Sequence, residues 1–351
     1  MRPATDRTPE QNPPPAPPEP RAARRHPIWI HVGLFLLTFL AALLASAIPQ
    51  IGNTEVIRAL GALAENPSLI QAGLPFAITL MAILLAHEMG HFLTARRHGV
   101  DQSLPYFIPA PTIFGTLGAL ILMRSQPPNR RVLLDVAVAG PFAGLLLAIP
   151  AAIWGLSHSA PRTIQSVSES EIVFGGSLLF NWLTGQFGPD APMLDLHPVA
   201  LAGWVGLFVT SLNLIPAAQL DGGHIAYALF GPRQERISIF LVASLFVMGL
   251  MLGISSEGFA RGAVWVFWAL LLFVIGIRHP PVSNELTPLA PRHRVLGWLA
   301  MLVLVVTFTP VPVDKPQAPA KQRVKQSWSS EEISPTERHE GHETPAEEFR
   351  L

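Results

Sequence analysis

The sequence predicts an all-α polytopic membrane protein with about six to seven transmembrane helices. Half of its 351 residues are hydrophobic and only 14% are charged, whereas soluble domains carry about 25% charged residues. The mean hydropathy is +0.38, and long apolar stretches recur along the chain. The lipid bilayer is therefore the expected surrounding, and a formal net charge of zero gives no reason to expect a nucleic-acid partner.

Seven apolar segments are the candidate membrane spans. They lie at 28–48, 74–96, 133–155, 198–215, 237–254, 262–277 and 295–309. A helix needs about 20 apolar residues to cross the bilayer. Because the last three segments are short, the sequence predicts six to seven crossings.

Arginines mark one side of these spans, namely Arg21, Arg24, Arg25, Arg96, Arg97, Arg124, Arg130, Arg131, Arg233, Arg236, Arg278, Arg292 and Arg294. The loop at 156–197 carries four acidic residues and one arginine. Since basic loops remain cytoplasmic, the pattern predicts a cytoplasmic N-terminus. With seven crossings, the C-terminal tail would lie on the opposite side.

Both ends of the chain have a polar composition that does not favour a packed core. Residues 1–27 are predicted to be a disordered cytoplasmic arm rich in Pro and Arg, without the apolar region of a cleavable signal peptide. Residues 310–351 are predicted to be a disordered polar tail. The transmembrane domain is therefore expected at 28–309.

The most informative motif is HEMGH at 87–91, which lies inside the second apolar segment. Residues four apart share one face of a helix, so His87 and His91 can bind the same metal ion. Glu88 is placed to act as a general base toward water. The chain has no cysteine, so any zinc must be held by histidine and carboxylate groups. Ionisable groups in a membrane helix usually mark function.

Asp221 is the candidate third ligand. The predicted topology places His87 and His91 toward the cytoplasmic end of the second span, and the fourth span ends at about the same depth. Pro216 is expected to interrupt that helix, and Gly222-Gly223 permits a close turn. Together they would let the Asp221 carboxylate reach the metal.

Two further segments are expected near the metal site. Residues 105–123 are apolar but interrupted by Pro and Gly, which predicts a re-entrant loop or β-hairpin that packs against protein or lines a wet cavity. Such a segment either binds an extended substrate as an added strand or is a purely structural plug. Gly140 and Gly144 are four residues apart in the third span, which predicts close packing against the helix that carries HEMGH.

These motifs resemble those of the site-2 protease family of intramembrane zinc metalloproteases. The family pairs H-E-x-x-H on one transmembrane helix with N-x-x-P-x-x-x-L-D-G on a later one, and here HEMGH is followed by NLIPAAQLDG at 213–222. The resemblance extends to FIPAP at 107–111, FGTLGA at 114–119 and GPFAG at 140–144, within a catalytic core at about 74–235. Within the family, the chain is similar to the branch without a PDZ domain, which has bacterial and chloroplast members.

The resemblance implies one Zn²⁺ per chain, bound by His87, His91 and Asp221, with Glu88 as catalytic base and Asn213 as a polar group that contacts substrate. The implied activity is hydrolysis of peptide bonds in the transmembrane segment of another protein. The expected location is the bacterial inner membrane, where the chain would be a multi-pass protein. The oligomeric state is not predicted.

Three other functions would require different features in the sequence. The alternative is a catalytically inactive relative that acts as a scaffold or chaperone, although both Glu88 and Asp221 are present. A di-iron hydroxylase would need further histidine clusters such as H-x-x-H-H, and a transporter would be expected to show an inverted repeat. The sequence shows neither feature.

Overall fold

A helix is found at each of the seven apolar segments. The structure is a computed structural model that describes residues 26–51, 67–163, 172–254 and 259–314. The helices are α1 (Ile28–Ile51), α2 (Pro67–Arg97), α3 (Arg130–Ser157), α4 (Leu178–Phe187), α5 (Pro198–Asn213), α6 (Asp221–Phe230), α7 (Gln234–Gly253), α8 (Phe259–Ile275) and α9 (Pro291–Thr307). The strands are β1 (Tyr106–Pro109), β2 (Thr116–Leu120), β3 (Ala160–Arg162), β4 (Val173–Phe174), β5 (Met193–Asp195) and β6 (Val313–Asp314). The arm predicted to be disordered lies outside the described ranges except for residues 26 and 27. The tail predicted to be disordered lies outside them except for residues 310–314.

Four helical stretches in the described ranges are long and apolar enough to cross a membrane. They are Ile28–Ser46, Ile70–Arg97, Arg130–Ser157 and Asp221–Gly253, so the predicted six to seven crossings are not confirmed. The fourth predicted span shows the reason. It is a helix of 16 residues, about 24 Å long at 1.5 Å per residue, which is shorter than the ~30 Å hydrocarbon layer. The last of the four stretches joins α6 and α7 through a 3₁₀ turn at Gly231–Arg233.

Contacts divide the described chain into two units, and the first comprises 26–51, 67–148 and 280–298. Within it, α1 packs on α2, and β1 and β2 lie against these helices. The end of α2 is joined to the start of α3 by a buried cluster of Ala95, Val100, Val132 and Val136. The start of α3 is also tied to the chain before α9, because Arg131 donates to the carbonyl of Pro288 over 2.7 Å.

The predicted re-entrant loop or β-hairpin is a β-hairpin, formed by β1 and β2. The strands are antiparallel and pair Tyr106 with Leu120 and Phe107 with Ala119. A bulge before Pro109 agrees with the missing N–H of proline. The Thr116 hydroxyl donates to the carbonyl of Ile108 over 2.9 Å, which closes the turn.

The second unit comprises 149–279 and 299–314 among the described residues. Its two small sheets pair β3 with β5 and β4 with β6, both antiparallel. The indole of Trp204 on α5 donates to the carbonyl of Gly175 over 2.7 Å, and Arg261 on α8 forms an ion pair with Asp314. The chain after α9 therefore reaches the loop that follows α3.

His197 caps the start of α5. Its Nδ1 accepts a hydrogen bond of 3.2 Å from the backbone N–H of Val199. Because a backbone N–H only donates, Nδ1 must be unprotonated for this cap to form. Burial, followed by the nearby His158, lowers the pKa of His197 below its ordinary value of 6.5.

We expect acid to destabilise the fold through this cap. A histidine whose pKa is lowered on folding contributes stability that is complete above its unfolded pKa and is lost as the pH falls through 6.5 toward the folded value. His197→Asn keeps an N-cap acceptor that does not titrate. Thermal unfolding in detergent between about pH 5 and pH 8 should show a shallower loss on acidification in the variant than in the wild type. Equal pH slopes for the two proteins would rule out this role.

Candidate metal centre

The histidine pair of HEMGH lies in the C-terminal half of α2. His87 and His91 are both buried, with 4% and 8% of their surface exposed. They are one helical turn apart, so both imidazoles project from the same face, and their ring centroids are 4.9 Å apart. The helix therefore places two nitrogen ligands side by side, as the spacing predicted.

The separation of these imidazoles fits a zinc ion. The Nε2 atoms of His87 and His91 are 3.2 Å apart. Two Zn–N bonds of about 2.0–2.1 Å at a tetrahedral angle would place the nitrogens roughly 3.3–3.4 Å apart. The pair therefore needs only a small adjustment to bind one ion through both Nε2 atoms.

The orientation of His91 is set by α3. Its Nδ1 donates to the backbone carbonyl of Val136 over 2.8 Å. Since a carbonyl only accepts, Nδ1 carries a proton, and in the neutral ring this leaves the lone pair on Nε2, the atom that faces His87. Metal-bound histidines commonly have this arrangement, in which the second ring nitrogen donates to an oxygen. No sequence pattern marks Val136, because any residue type supplies this carbonyl.

Glycines allow α2 and α3 to approach each other at the two histidines. A Cβ on Gly140 would overlap the His91 imidazole, and one on Gly144 would lie 3.3 Å from Cβ and Nδ1 of His87. A Cβ on Gly90 of α2 would overlap the Ala139 carbonyl. The close packing predicted for Gly140 and Gly144 is therefore confirmed, and it takes place directly against the histidine rings.

Glu88 lies on α2 next to His87 and is also buried, with 4% of its surface exposed. Neighbouring residues are about 100° apart around a helix, so its side chain projects from a different face than the histidine pair. Burying a carboxylate in an apolar helix is costly. A residue placed in this way is a candidate for chemistry rather than for packing.

Asp221 is the first residue of α6, and it is half-buried. A carboxylate is stabilised at a helix N-terminus by the free N–H groups and the helix dipole. Helix α5 ends at Asn213, and an irregular segment at 214–220 follows it. The prediction that Pro216 interrupts the helix is therefore confirmed.

The role predicted for the glycine pair after Asp221 was wrong in one respect. Gly222 and Gly223 do not form a turn but lie in the first turn of α6. A Cβ on Gly222 would overlap the carbonyl of Leu214, and one on Gly223 would overlap the carbonyl of Ala218. The glycines are needed because the irregular segment folds back onto the start of the helix.

Two polar residues of α7 hold this irregular segment, and sequence reasoning missed both. Ala218 has a left-handed backbone with φ of 54°, a conformation that costs roughly 1–3 kcal/mol in a residue other than glycine. Its N–H donates to the Ser238 hydroxyl over 3.1 Å, and the Gln234 amide donates to that hydroxyl over 2.7 Å. Gln234 and Ser238 are buried. They stabilise a strained backbone three residues before Asp221.

The remaining predicted site residue, Asn213, is the last residue of α5 and is half-buried.

His224, which is not a predicted ligand, has its Nδ1 2.6 Å from Nε2 of His279. The His279 ring in turn stacks on Tyr227 at 4.2 Å. These contacts fix the chain after α8 onto α6.

Among the described residues, the group of histidine and carboxylate side chains that could each supply one ligand atom to a metal ion is His87, His91 and Asp221. Two imidazoles and one carboxylate form a donor set that suits zinc and leaves a coordination position open for water. A donor set without sulfur also agrees with the absence of cysteine.

Relatives of known type match the part of the chain that carries these residues. The chain is 33% identical over 251 residues to the probable zinc metalloprotease EGY1, chloroplastic, of Arabidopsis thaliana, covering 69% of this chain and 44% of that protein. It is 28% identical over 291 residues to EGY2 of the same plant, covering 82% and 50%. For EGY1 of Oryza sativa subsp. japonica, the identity is 30% over 250 residues, covering 69% and 41%.

The chain thus spans half or less of the length of these relatives. Their names place them in chloroplasts, so the comparisons do not support the predicted bacterial inner membrane. The model of peptidase family M50, which is the site-2 protease type, matches residues 75–254. That match includes both sequence motifs, and the chain belongs to peptidase family M50.

Proposed function

We propose that this chain is an intramembrane zinc metalloprotease that hydrolyses peptide bonds in transmembrane segments of other proteins. The observation that carries the proposal is the buried pair of His87 and His91, whose Nε2 atoms lie 3.2 Å apart in an apolar helix. Ionisable groups in such a helix usually have a function. Membership of family M50 and the metalloprotease names of the relatives support the same activity.

In this proposal, His87, His91 and Asp221 bind one zinc ion per chain. The support for Asp221 is its match to the N-x-x-P-x-x-x-L-D-G motif, its carboxylate chemistry and the strained segment that ends just before it. When bound, zinc polarises the carbonyl of the scissile bond and the attacking water. The Val136 carbonyl and Gly140 keep the His91 ring in the required tautomer and position.

Glu88 is the general base of the reaction. Its carboxylate accepts the proton of the attacking water, and the protonated group then donates to the nitrogen of the departing amine. Burial of Glu88 keeps bulk water away and strengthens its electrostatic interactions. Asn213 has an amide that can both donate and accept, and it contacts the backbone of the substrate.

The substrate must be locally extended at the cut. A transmembrane helix hides its carbonyls in its own hydrogen bonds, so neither Glu88 nor a metal can reach them. Among the described residues, each strand of the β1–β2 hairpin pairs with one other strand, and β2 contacts α2, the helix that carries HEMGH. We propose that the outer edge of the hairpin pairs with the extended peptide.

The scissile bond is expected near the membrane face that carries the arginines. Arg96 and Arg97 form the last turn of α2, and Arg130 and Arg131 begin α3. Loops rich in positive charge stay on the side of the membrane on which the protein is synthesised, so this face is expected on that side. The N-terminus would lie on this side, whichever cellular membrane holds the protein.

The test is to map the cut. Purified protein is reconstituted with a single-span substrate in lipid vesicles, and the products are identified by mass spectrometry. We expect a scissile bond within the apolar span, toward the arginine-rich face. Glycine or proline near that bond should speed cleavage several-fold, and a poly-leucine segment should slow it, because unwinding a helix of good helix formers costs more.

The control is the same reaction with a chelator and with Glu88→Gln, both of which should stop it. A cut in a soluble loop far from any span, with no dependence on helix propensity, would show a membrane-anchored protease of the ordinary kind. Failure of the zinc-loaded protein to cut any single-span substrate would favour the inactive scaffold.

A further inference from the structure

His31 is a buried ionisable residue that the proposed chemistry does not use. It lies in α1, inside the stretch Ile28–Ser46 that is apolar enough to cross a membrane, and only 7% of its surface is exposed. An imidazole at such a position costs free energy unless its polar atoms have partners. A specific contact is therefore expected there.

That contact joins α1 to the hairpin. Nδ1 of His31 lies 3.0 Å from the carbonyl oxygen of Pro105, the residue before β1. Since a carbonyl only accepts, His31 donates through an Nδ1–H. The bond connects residues that are 74 positions apart in the chain, and it fixes the point at which the hairpin begins.

Apolar contacts continue along the same side of α1. The ring centroids of His31 and Tyr106 are 4.3 Å apart. Those of Phe35 and Phe107 are 5.0 Å apart, in a T-shaped contact. A Cβ on Gly115, in the turn of the hairpin, would overlap the α1 backbone at Ala41. Apolar packing brings the hairpin onto α1 but permits sliding, whereas the hydrogen bond from His31 is directional.

The hairpin also contacts α2, the helix that carries HEMGH. β1 contacts α1, and β2 contacts α2. A shift of the hairpin along α1 would therefore move β2 relative to His87 and Glu88. Changing the register of an extended strand by one residue turns its side chains to the opposite face, so small shifts would misplace a bound peptide.

We propose that His31 is a positioning residue that sets the register of the hairpin and thereby the affinity for the extended substrate. The inference rests on the proposed function only for its effect on substrate. The described contacts of His31 are with Pro105 and Tyr106, at the start of the hairpin. Loss of His31 should weaken substrate binding and leave the metal and the chemical step intact.

Three substitutions separate the hydrogen bond from the ring. In asparagine, the amide nitrogen is the same number of bonds from Cα as Nδ1 of histidine, so His31→Asn can keep the donor. In glutamine, that nitrogen is one bond farther, at the position of Nε2, and phenylalanine keeps a ring without a donor. We expect His31→Gln and His31→Phe to raise KM up to about tenfold with little change in kcat, as for a hydrogen bond of ~0.5–1.5 kcal/mol.

His31→Asn should restore KM to within about twofold of the wild type. Zinc content should be equal in all four proteins. If His31→Asn is as impaired as His31→Phe, a side-chain donor at this position is not sufficient for the wild-type KM, and the proposed role of the hydrogen bond is overturned. Unchanged KM in both His31→Gln and His31→Phe would also overturn the proposal.

A second measurement does not depend on activity. The chain has no cysteine, so a single Leu117→Cys on β2, a position that is 45% exposed, reports the hairpin by its rate of maleimide labelling. We expect faster labelling with His31→Phe and the wild-type rate with His31→Asn. Leu286→Cys, in the chain before α9 and 92% exposed, is the control whose rate should not change.

The two readouts distinguish the two proposals. If the wild type cuts no substrate, the proposed function fails, and the labelling rates still test whether His31 holds the hairpin. If the wild type cuts but neither KM nor labelling responds to His31→Phe, the positioning role is wrong and the protease assignment stands.

Discussion

Replacing Glu88 with glutamine is expected to abolish cleavage while leaving zinc and the fold in place. Glutamine has the shape of glutamate but cannot accept the proton of the attacking water. A positioned general base contributes about 10²–10⁴-fold to a rate, so kcat should fall by at least that range. Single-turnover cleavage of a single-span substrate and metal analysis of the same preparation provide the measurement.

The matched comparison is Asp221→Ala, which removes a proposed ligand instead of the base. It should lose both zinc and activity, whereas Glu88→Gln should lose activity alone. Substantial cleavage by zinc-loaded Glu88→Gln would contradict the role of Glu88. Full zinc occupancy in Asp221→Ala would contradict the ligand assignment without touching that of the base.

Replacing Gly140 with alanine is expected to weaken zinc binding by roughly 5- to 150-fold. The added Cβ would overlap the His91 imidazole, and the neighbouring backbone has little room to yield because Gly90 packs on Ala139. Overpacking of this kind costs typically ~1–3 kcal/mol, and about 1.4 kcal/mol is a tenfold change in an equilibrium constant. Competition with a chelator of known affinity measures the loss.

Gly33→Ala is the matched control. Gly33 also lies in an apolar helix, α1, but a Cβ there would meet no atom within 4 Å. Alanine is favoured over glycine within a helix by about 0.5–1 kcal/mol, so this variant should bind zinc normally and be no less stable. Equal zinc affinity in Gly140→Ala and Gly33→Ala would show that the ring of His91 does not depend on its contact with α3.

Part of the candidate site could be predicted from sequence because it depends on spacing along one element. His87 and His91 share a face of any helix that contains them, and Glu88 follows from the same register. Asp221 was identified from a separate motif and from the depth of its helix end. The hairpin was expected because proline and glycine interrupt an apolar segment, and β1 and β2 are found there.

The count of membrane crossings could not be read from hydropathy alone. Apolar segments at 198–215 and 262–277 suggested full spans, yet α5 stops at Asn213 after 16 residues and the apolar helix before Ile275 is also short. Conversely, the helical stretch formed by α6 and α7 begins at Asp221, well before the apolar segment at 237–254, and continues to Gly253. Helix ends depend on local backbone contacts, such as those of Gly222 with Leu214, which composition does not report.

The sequence by itself determined the family of the protein, its candidate donor atoms and its candidate general base, because these depend on residue types at fixed spacing. Only the tertiary structure decided how the site is held. The Val136 carbonyl that orients His91, the buried Gln234 and Ser238 that support Ala218, and the bond from His31 to Pro105 all join distant segments. All three contacts involve backbone atoms, which every residue carries, so no side-chain pattern could have marked them.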